Sequence, residues 1–323
     1  MRALFIIVYF GKLPQWFSLY LLSCSYNKDF DWLILTDDHT AYITPENVKI
    51  ERTTLSRIKK FITNRLKMRI SLDSPYKLCD YRPAYGYIFQ EYLKDYDYWG
   101  YTDLDLIYGN LKNFIDLNQL NHYSKIQSRG HLTLFKNSDE VNRYFMLRAA
   151  ETVSYKEVFS TNRYFDFDEM DGINVILSKY HIPYYHVDSI ADISPDRTAF
   201  NTITLNVKMD YLNQVFVWDN GKIFGIFLNQ NNQMCKQEFE YIHFQKRKFT
   251  RFLDRKEVVD HRFLINHQGF ITNIDLKEKG IFNYSIPTVP ERVLHQQKRI
   301  FQRLSRKSKV LTTNLISKIS GNQ

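Results

Sequence analysis

The segment 97–109 reads DYWGYTDLDLIYG, an apolar stretch that runs into two carboxylates. Residues 97–102 are rich in aromatic side chains and predict a buried strand. Asp103 and Asp105 follow directly, and side chains two positions apart on an extended chain point the same way. Because unpaired carboxylates are costly to bury, the pair indicates a bound cation, and carboxylate with phosphate oxygens suits Mg²⁺ or Mn²⁺ rather than zinc. D-x-D also occurs in ordinary loops, but the end of an apolar strand favours a metal site.

Strands and helices alternate on the N-terminal side of this segment. Apolar runs predict strands at 2–10 and 31–36, and helical spacing of apolar residues predicts helices at 15–26, 54–72 and 83–93. Such alternation predicts an α/β fold with a mostly parallel sheet and a ligand site beyond the carboxyl ends of its strands.

The C-terminal side predicts further strands and no repeat of 20 to 50 residues. Residues 131–136, 184–187 and 238–244 have strand composition, and residues 216–228 predict a hairpin that turns at Asp219-Asn220-Gly221.

Composition excludes several classes of protein. The chain has 323 residues, 44% of them hydrophobic, which is enough to bury a core. Its three cysteines, Cys24, Cys79 and Cys235, are far apart, so neither a disulfide framework nor a zinc knuckle is indicated and a reducing cytosol suits them. The apolar start lacks a signal-cleavage pattern, and Lys12, Pro14 and Gln15 interrupt the only candidate membrane span. We expect a cytoplasmic protein, soluble or peripheral.

The positive charge is concentrated at the C-terminus. Residues 291–323 hold eight Lys and Arg residues against Glu291 alone, so this tail carries +7 of the net charge of +9 and the rest of the chain +2. Apolar residues recur among these basic residues near helical spacing, which predicts an amphipathic tail on the anionic inner face of the plasma membrane or, equally, on the protein's own core. Nucleic acid is not an expected partner, because the body of the chain nearly balances its charge.

Two later segments complete a familiar order of motifs. Residues 169–174 read EMDGIN and residues 243–248 read HFQKRK. With the D-x-D, they resemble the D-x-D, D-Q-D-x-x-N and H-F-x-G-x-x-K segments of GT-A glycosyltransferases. The resemblance covers residues 1–250 and is strongest to retaining galactosyltransferases, glycogenin and a bacterial family found with surface-polysaccharide genes. Glu169, Met170 and Lys246 replace the Asp, Gln and Gly of that pattern.

The resemblance implies a role for each matching residue. The implied metal ligands are Asp103, Asp105 and His243. The implied catalytic residues are Glu169, Asp171 and Asn174. The implied contacts to the donor nucleotide, its phosphates and its sugar are Tyr9, Phe10, Gly11, Thr36, Asp37, Asp38, Lys77, Asp80, Arg82 and Lys248. A buried core histidine, ordinary turn residues and a helix start with an ion pair are the structural alternatives for His243, residues 9–11 and 36–38, and Asp80 with Arg82.

The predicted protein is a GT-A enzyme, with a Rossmann-like, mostly parallel sheet and helices on both faces. Residues 1–250 would form the catalytic domain, 251–290 an extension and 291–323 the basic tail. With Mn²⁺ or Mg²⁺, it would move sugar from a UDP-sugar to a saccharide or lipid-linked acceptor in surface-polysaccharide synthesis. If the reaction inverts the configuration at the sugar, Asp171 or Glu169 would act as the general base. If the configuration is retained, the leaving phosphate would accept the proton of the acceptor. The alternatives are a non-catalytic nucleic-acid or polyanion-binding protein and a D-x-D nucleotidyltransferase, for which the glycine-rich triphosphate loop is missing from the sequence.

Overall fold

A computed structural model describes residues 1–169, 171–194, 200, 202–203, 214–229, 231, 233–245 and 247–272. The substitutions noted at Met170 and Lys246, part of the predicted extension and the whole basic tail lie outside these residues. The strands are β1 (Ala3–Tyr9), β2 (Phe30–Thr36), β3 (Val48–Arg52), β4 (Tyr98–Thr102), β5 (Leu106–Tyr108), β6 (Lys125–Arg129), β7 (Leu132–Lys136), β8 (Tyr184–Tyr185), β9 (Ala191–Asp192), β10 (Gln214–Asp219), β11 (Lys222–Leu228), β12 (Met234–Phe239), β13 (Tyr241–His243), β14 (Arg262–Asn266) and β15 (Gly269–Ile271). The α-helices are α1 (Phe17–Ser25), α2 (Leu55–Leu66), α3 (Tyr85–Ile88), α4 (Tyr155–Ser160) and α5 (Ile173–Lys179).

A central sheet of seven strands has the order β3-β2-β1-β4-β7-β6-β8 within the described residues. Every pairing in it is parallel except those of β7, which runs antiparallel to both β4 and β6. The predicted α/β fold with a mostly parallel sheet is therefore confirmed.

Both faces of this sheet are buried, which explains the continuous apolar runs of its inner strands. Phe5 and Ile7 of β1 pack on one face against α1, and Leu4 and Ile6 pack on the other face among residues of α2, α3, α4 and α5. These two layers hold β1, β2 and β4 in place, so the loops that follow them have a rigid base.

Helical spacing located α1 and α2 correctly but not the third predicted helix. Thr54 caps α2 by accepting a hydrogen bond from the Arg57 amide at 3.3 Å, and Lys67 ends it in a left-handed conformation. In place of a helix at 83–93, the chain forms a 3₁₀ helix at Pro75–Ala84, the short α3 and a 3₁₀ turn at Gln90–Tyr92.

Two smaller sheets cover the face that packs against α1. One has the order β5-β13-β9, and the other is antiparallel with the order β12-β11-β10-β14-β15. The predicted hairpin is confirmed as β10 and β11, joined by Asn220 and Gly221, both with positive φ. The predicted strand 238–244 is interrupted at Glu240, whose carbonyl accepts a hydrogen bond from the Gly109 amide at 2.8 Å.

The segment after residue 250 shares a sheet with the segment before it. In the pairing of β14 with β10, Phe216 lies opposite Ile265 at one end and Asp219 lies opposite Arg262 at the other. The predicted boundary at residue 250 lies between β13 and β14, which belong to different sheets. None of the described helices is both long and apolar enough to cross a membrane.

Candidate active site

The carboxyl ends of β1, β2 and β4 meet at one edge of the central sheet, because these strands are parallel neighbours. The two loops after β1 and β2 are joined there. The Gly11 amide donates a hydrogen bond to Asp37 Oδ1 at 2.7 Å, and the Leu13 amide donates to Asp38 Oδ2 at 2.8 Å. Hydrogen bonds from Thr40 and then Leu13 hold the pKa of Asp38 well below its usual range.

The other residues predicted to contact the nucleotide lie around this junction. The buried Thr36 hydroxyl accepts a hydrogen bond from the Asp38 amide at 3.2 Å, and the half-buried Tyr9 donates to the Lys12 carbonyl at 3.2 Å. Phe10 is also half-buried. A cavity of about 30 Å³ lies between the ends of β1 and β4 and is lined by Tyr9, Arg82 and Asp103 among others. Three of the predicted site residues thus border one small cavity.

The D-x-D and His243 converge beyond the end of β4. Ligand atoms of Asp103, Asp105 and His243 all lie within 4.8 Å of one another. Two backbone contacts fix this approach: the Asp103 amide donates to the His131 carbonyl at 3.0 Å, and the Phe244 amide donates to the Asp105 carbonyl at 2.8 Å. β13 delivers His243 by pairing with β5, where His243 is the partner of Leu106.

This arrangement fits a divalent cation. Nε2 of His243 lies 3.3 Å from Oδ1 of Asp105. Two neighbouring ligands of an octahedral ion with bonds of about 2.1 Å lie roughly 3 Å apart, so both atoms can bind one ion. On the other side of the ring, Nδ1 of His243 lies 2.9 Å from Oδ1 of Asp192. A carboxylate at Nδ1 fixes the tautomer that leaves Nε2 free for the metal.

Without a metal, this group of side chains holds a proton. Burial by itself would lower the pKa of His243, but hydrogen bonds to Asp105 and Asp192 outweigh it and raise the pKa to about 10. Desolvation raises the pKa of Asp105, and the hydrogen bond from His243 only partly opposes that rise. A cation that binds here must therefore displace a proton at neutral pH.

A second possible ligand group shares the same histidine. His131, Asp192 and His243 also bring ligand atoms within 4.8 Å of one another, and the two imidazole rings stack with centroids 4.3 Å apart. Burial lowers the pKa of His131, which keeps its ring neutral, while its Nδ1 lies 2.8 Å from the Tyr241 hydroxyl. Asp192 also meets Arg129 at 3.4 Å, and Asp103 meets Arg82, so each of the two groups contains one carboxylate with an arginine partner.

Arg82 connects the D-x-D to an acidic residue that the sequence analysis did not select. Its guanidinium pairs with Asp103, with Asp168 at 3.0 Å and with the Gly130 carbonyl at 3.1 Å. Asp168 is 2% exposed, and burial raises its pKa to about 7. Its Oδ1 has no hydrogen-bond partner among the described residues. The only sequence signal for it is the density of carboxylates in DFDEMD, which does not rank one above another.

The three predicted catalytic residues lie in different surroundings. Glu169 accepts a hydrogen bond from the Gly130 amide at 2.8 Å, beside the groups that surround Arg82, and burial raises its pKa. Asn174 accepts from the buried Lys125 and donates to the Ser128 carbonyl at 2.8 Å. Asp171 is exposed and borders a separate cavity. Of the three, Glu169 lies with the residues around Arg82, and the catalytic roles remain predictions.

Two of the remaining predicted donor residues, Lys77 and Asp80, contact each other and not the D-x-D. Lys77 and Asp80 form a buried ion pair at 2.8 Å, and Asp80 accepts hydrogen bonds from the Phe165 and Phe167 amides. Their side chains therefore anchor the loop that precedes Asp168. Lys248 is exposed in the segment after His243. Contacts of these residues to a donor remain predictions.

Comparisons with known proteins give a family and a distant similarity to solved structures. The model of a family of unknown function (DUF6625) matches residues 5–274. A search of curated proteins found no match. Among solved structures, the chain is similar to the crystal structure of mouse xyloside xylosyltransferase 1 in its apo form. That comparison has 9% sequence identity and a TM-score of 0.35, and it covers 60% of this chain and 88% of that one.

Proposed function

The chain belongs to this family of unknown function, and we propose from its site that it is a metal-dependent glycosyltransferase. It would transfer the sugar of a nucleotide-sugar, with UDP as the nucleotide, to a saccharide or lipid-linked acceptor of surface-polysaccharide synthesis. Asp103, Asp105 and His243 would hold Mn²⁺ or Mg²⁺.

One observation carries the proposal: the D-x-D and a histidine from a distant strand present their ligand atoms to one point at the carboxyl edge of a parallel sheet. Two carboxylates and an imidazole form a set of ligands suited to a divalent cation, and Asp192 supports the imidazole from behind. α/β sheets bind nucleotides at this edge, which supports a nucleotide-sugar donor beside the proposed metal.

The side chains around the ion fit the cleavage of a sugar phosphate. A bound metal ion would supply a Lewis acid for the leaving diphosphate. Arg82, paired with Asp103, adds a fixed positive charge to the same region. In the proposed reaction the bond from the sugar C1 to phosphate breaks, its electron pair leaves with the nucleoside diphosphate, and the acceptor oxygen bonds to C1 as its proton departs. The base that accepts this proton would be Glu169 or Asp168, the two carboxylates beside Arg82.

The test is turnover of UDP-sugars with Mn²⁺ by Asp103→Asn and Asp105→Asn variants. Both substitutions keep the shape and remove the charge, so we expect folded proteins that lose at least about 100-fold in turnover, the scale of losing a key electrostatic contact. Asp95→Asn is the matched control, because Asp95 is exposed near the other end of β4. Undiminished turnover in both folded site variants would refute the proposal.

A further inference from the structure

A second cavity, of about 350 Å³, lies beside the loop that carries Asp168. Its lining includes Tyr164 and Asp166 from that loop and Asp171 from the start of the following helical segment. The loop separates the cavity from the D-x-D: Asp168 turns inward to Arg82, while Asp166 and Asp171 border the cavity. Asp166 has a φ of 57°, so the chain reverses locally at the point where these side chains diverge.

The charge of this cavity distinguishes it from the donor site. Three carboxylates border it, those of Glu151, Asp166 and Asp171, against one guanidinium, that of Arg163. Glu151 is paired with Lys179 at 2.9 Å, which leaves the two carboxylates of Asp166 and Asp171 against the single guanidinium of Arg163. An anionic cavity repels a diphosphate, so its ligand should be neutral and able to donate hydrogen bonds to carboxylates.

Two exposed tyrosines lie at this cavity: Tyr164 lines it, and Tyr76 packs against Tyr164. The rings of Tyr76 and Tyr164 lie 4.9 Å apart at 52° to each other, and these residues are 59% and 36% exposed. The Tyr164 hydroxyl donates a hydrogen bond to Asp166 Oδ1 at 2.7 Å, which fixes the ring at the cavity wall. A fixed aromatic face beside carboxylates offers an apolar surface and hydrogen-bond acceptors within one short span.

We propose that this cavity is the acceptor subsite and that it binds a neutral saccharide, whose ring packs on Tyr164 and whose hydroxyls donate to Asp166 and Asp171. The assignment rests on the proposed glycosyl transfer. A volume of about 350 Å³ holds one or two sugar rings. One loop forms the wall between the two sites, with Asp166 at the cavity and Asp168, two residues later, paired with Arg82 beside Asp103.

The experiment measures saccharide binding without donor or turnover. Saturation-transfer NMR would be recorded with glucose, galactose, N-acetylglucosamine, lactose and maltose on the wild type and on Tyr164→Ala, Tyr164→Phe and Asp171→Asn variants. We expect millimolar binding of at least one sugar to the wild type, more than tenfold weaker binding by Tyr164→Ala and Asp171→Asn, and largely retained binding by Tyr164→Phe. Tyr180→Ala removes another exposed tyrosine and should leave binding unchanged.

Binding of UDP with Mn²⁺, followed by thermal shift, separates this inference from the proposed function. If UDP and Mn²⁺ bind but none of the sugars does, or if Tyr164→Ala and Asp171→Asn bind sugar like the wild type, the acceptor assignment is overturned. If sugar binding depends on Tyr164 but UDP and Mn²⁺ do not bind, the cavity stands as a saccharide site and the donor proposal fails.

Discussion

His243 lies between two carboxylates, and this position sets how the site responds to pH. Asp105 and Asp192 contact opposite nitrogens of its ring, which raises the pKa of the metal-free imidazole to about 10. In the proposed metal site, a metal ion would take the place of the proton on the Asp105 side. His243 would then carry a proton in the empty site and act as a ligand in the filled one.

We predict that each Mn²⁺ bound at pH 7 releases about one proton and that its apparent affinity rises up to about tenfold per pH unit between pH 6 and 9. Calorimetry in buffers of different ionisation enthalpy measures both quantities. His243→Asn should bind Mn²⁺ more weakly and release fewer protons. Equal proton release by the variant, or none by the wild type, would contradict the assignment.

The same proton bears on metal-free stability. Because the folded pKa lies above the ordinary value of 6.5, protonated His243 stabilises the fold fully below about pH 6.5, and this contribution is lost as pH rises toward 10. The difference in Tm between wild type and His243→Asn without metal should shrink over that range.

The order of motifs in the sequence predicts some residues of the candidate site, but not those that only the fold brings close to them. The D-x-D spacing indicates Asp103 and Asp105, and the order of motifs indicates His243. Asp168 and Asp192 are polar residues in loop or short-strand segments with no periodic signal, and their importance comes from contacts with Arg82 and His243. The sequence also did not predict that the Asp80 side chain points inward, because a sequence does not reveal which partners a side chain meets.

At the scale of elements, α3 fits against β4 only because residue 86 is glycine. A Cβ at Gly86 would lie 2.3 Å from the Trp99 ring. Trp99 is fully buried, and its indole N–H donates to Asn142 Oδ1 at 2.6 Å, so the ring has no room to move. This contact sets the position of the strand that carries the D-x-D.

We predict that Gly86→Ala lowers the free energy of unfolding by about 1–3 kcal/mol, the usual cost of overpacking a core. Urea unfolding measures it, with Lys60→Ala on the exposed side of α2 as a control. Unfolding at the same urea concentration as the wild type would show that the interface adapts to the methyl group.

Local sequence patterns predicted individual strands and helices better than they predicted which strands pair. Apolar periodicity gave β1, α1, β2, α2, β4 and the β10–β11 hairpin, because each of these signals is contained in a short stretch. It did not give β5, β9 or the pairing of β14 with β10, since those strands are short and pair across long separations. The interruption at Glu240 also depends on a distant residue, Gly109.

At the scale of the whole molecule, the charge is divided between a nearly balanced body and a basic tail. Residues 291–323 carry +7 of the net charge of +9. Each basic residue near an anionic membrane contributes roughly 1 kcal/mol of attraction. This attraction is the basis on which the sequence predicts a peripheral membrane role for the tail.

We predict that deletion of residues 291–323 weakens binding to vesicles containing anionic lipid and leaves donor hydrolysis unchanged, because the site residues lie elsewhere in the chain. Co-sedimentation measures binding, and vesicles of neutral lipid are the control. Equal sedimentation of the full-length and shortened proteins would remove the membrane hypothesis.

The late position of β13 has a consequence for how the protein is made. At about 5–20 residues per second, a ribosome delivers His243 on the order of ten seconds after Asp103 and Asp105. During that interval β5 has no β13 to pair with, and the two carboxylates have no imidazole beside them. The nascent chain would therefore meet cellular metal ions with only part of the proposed ligand set, and we expect an ion to enter only after the C-terminal strands have docked.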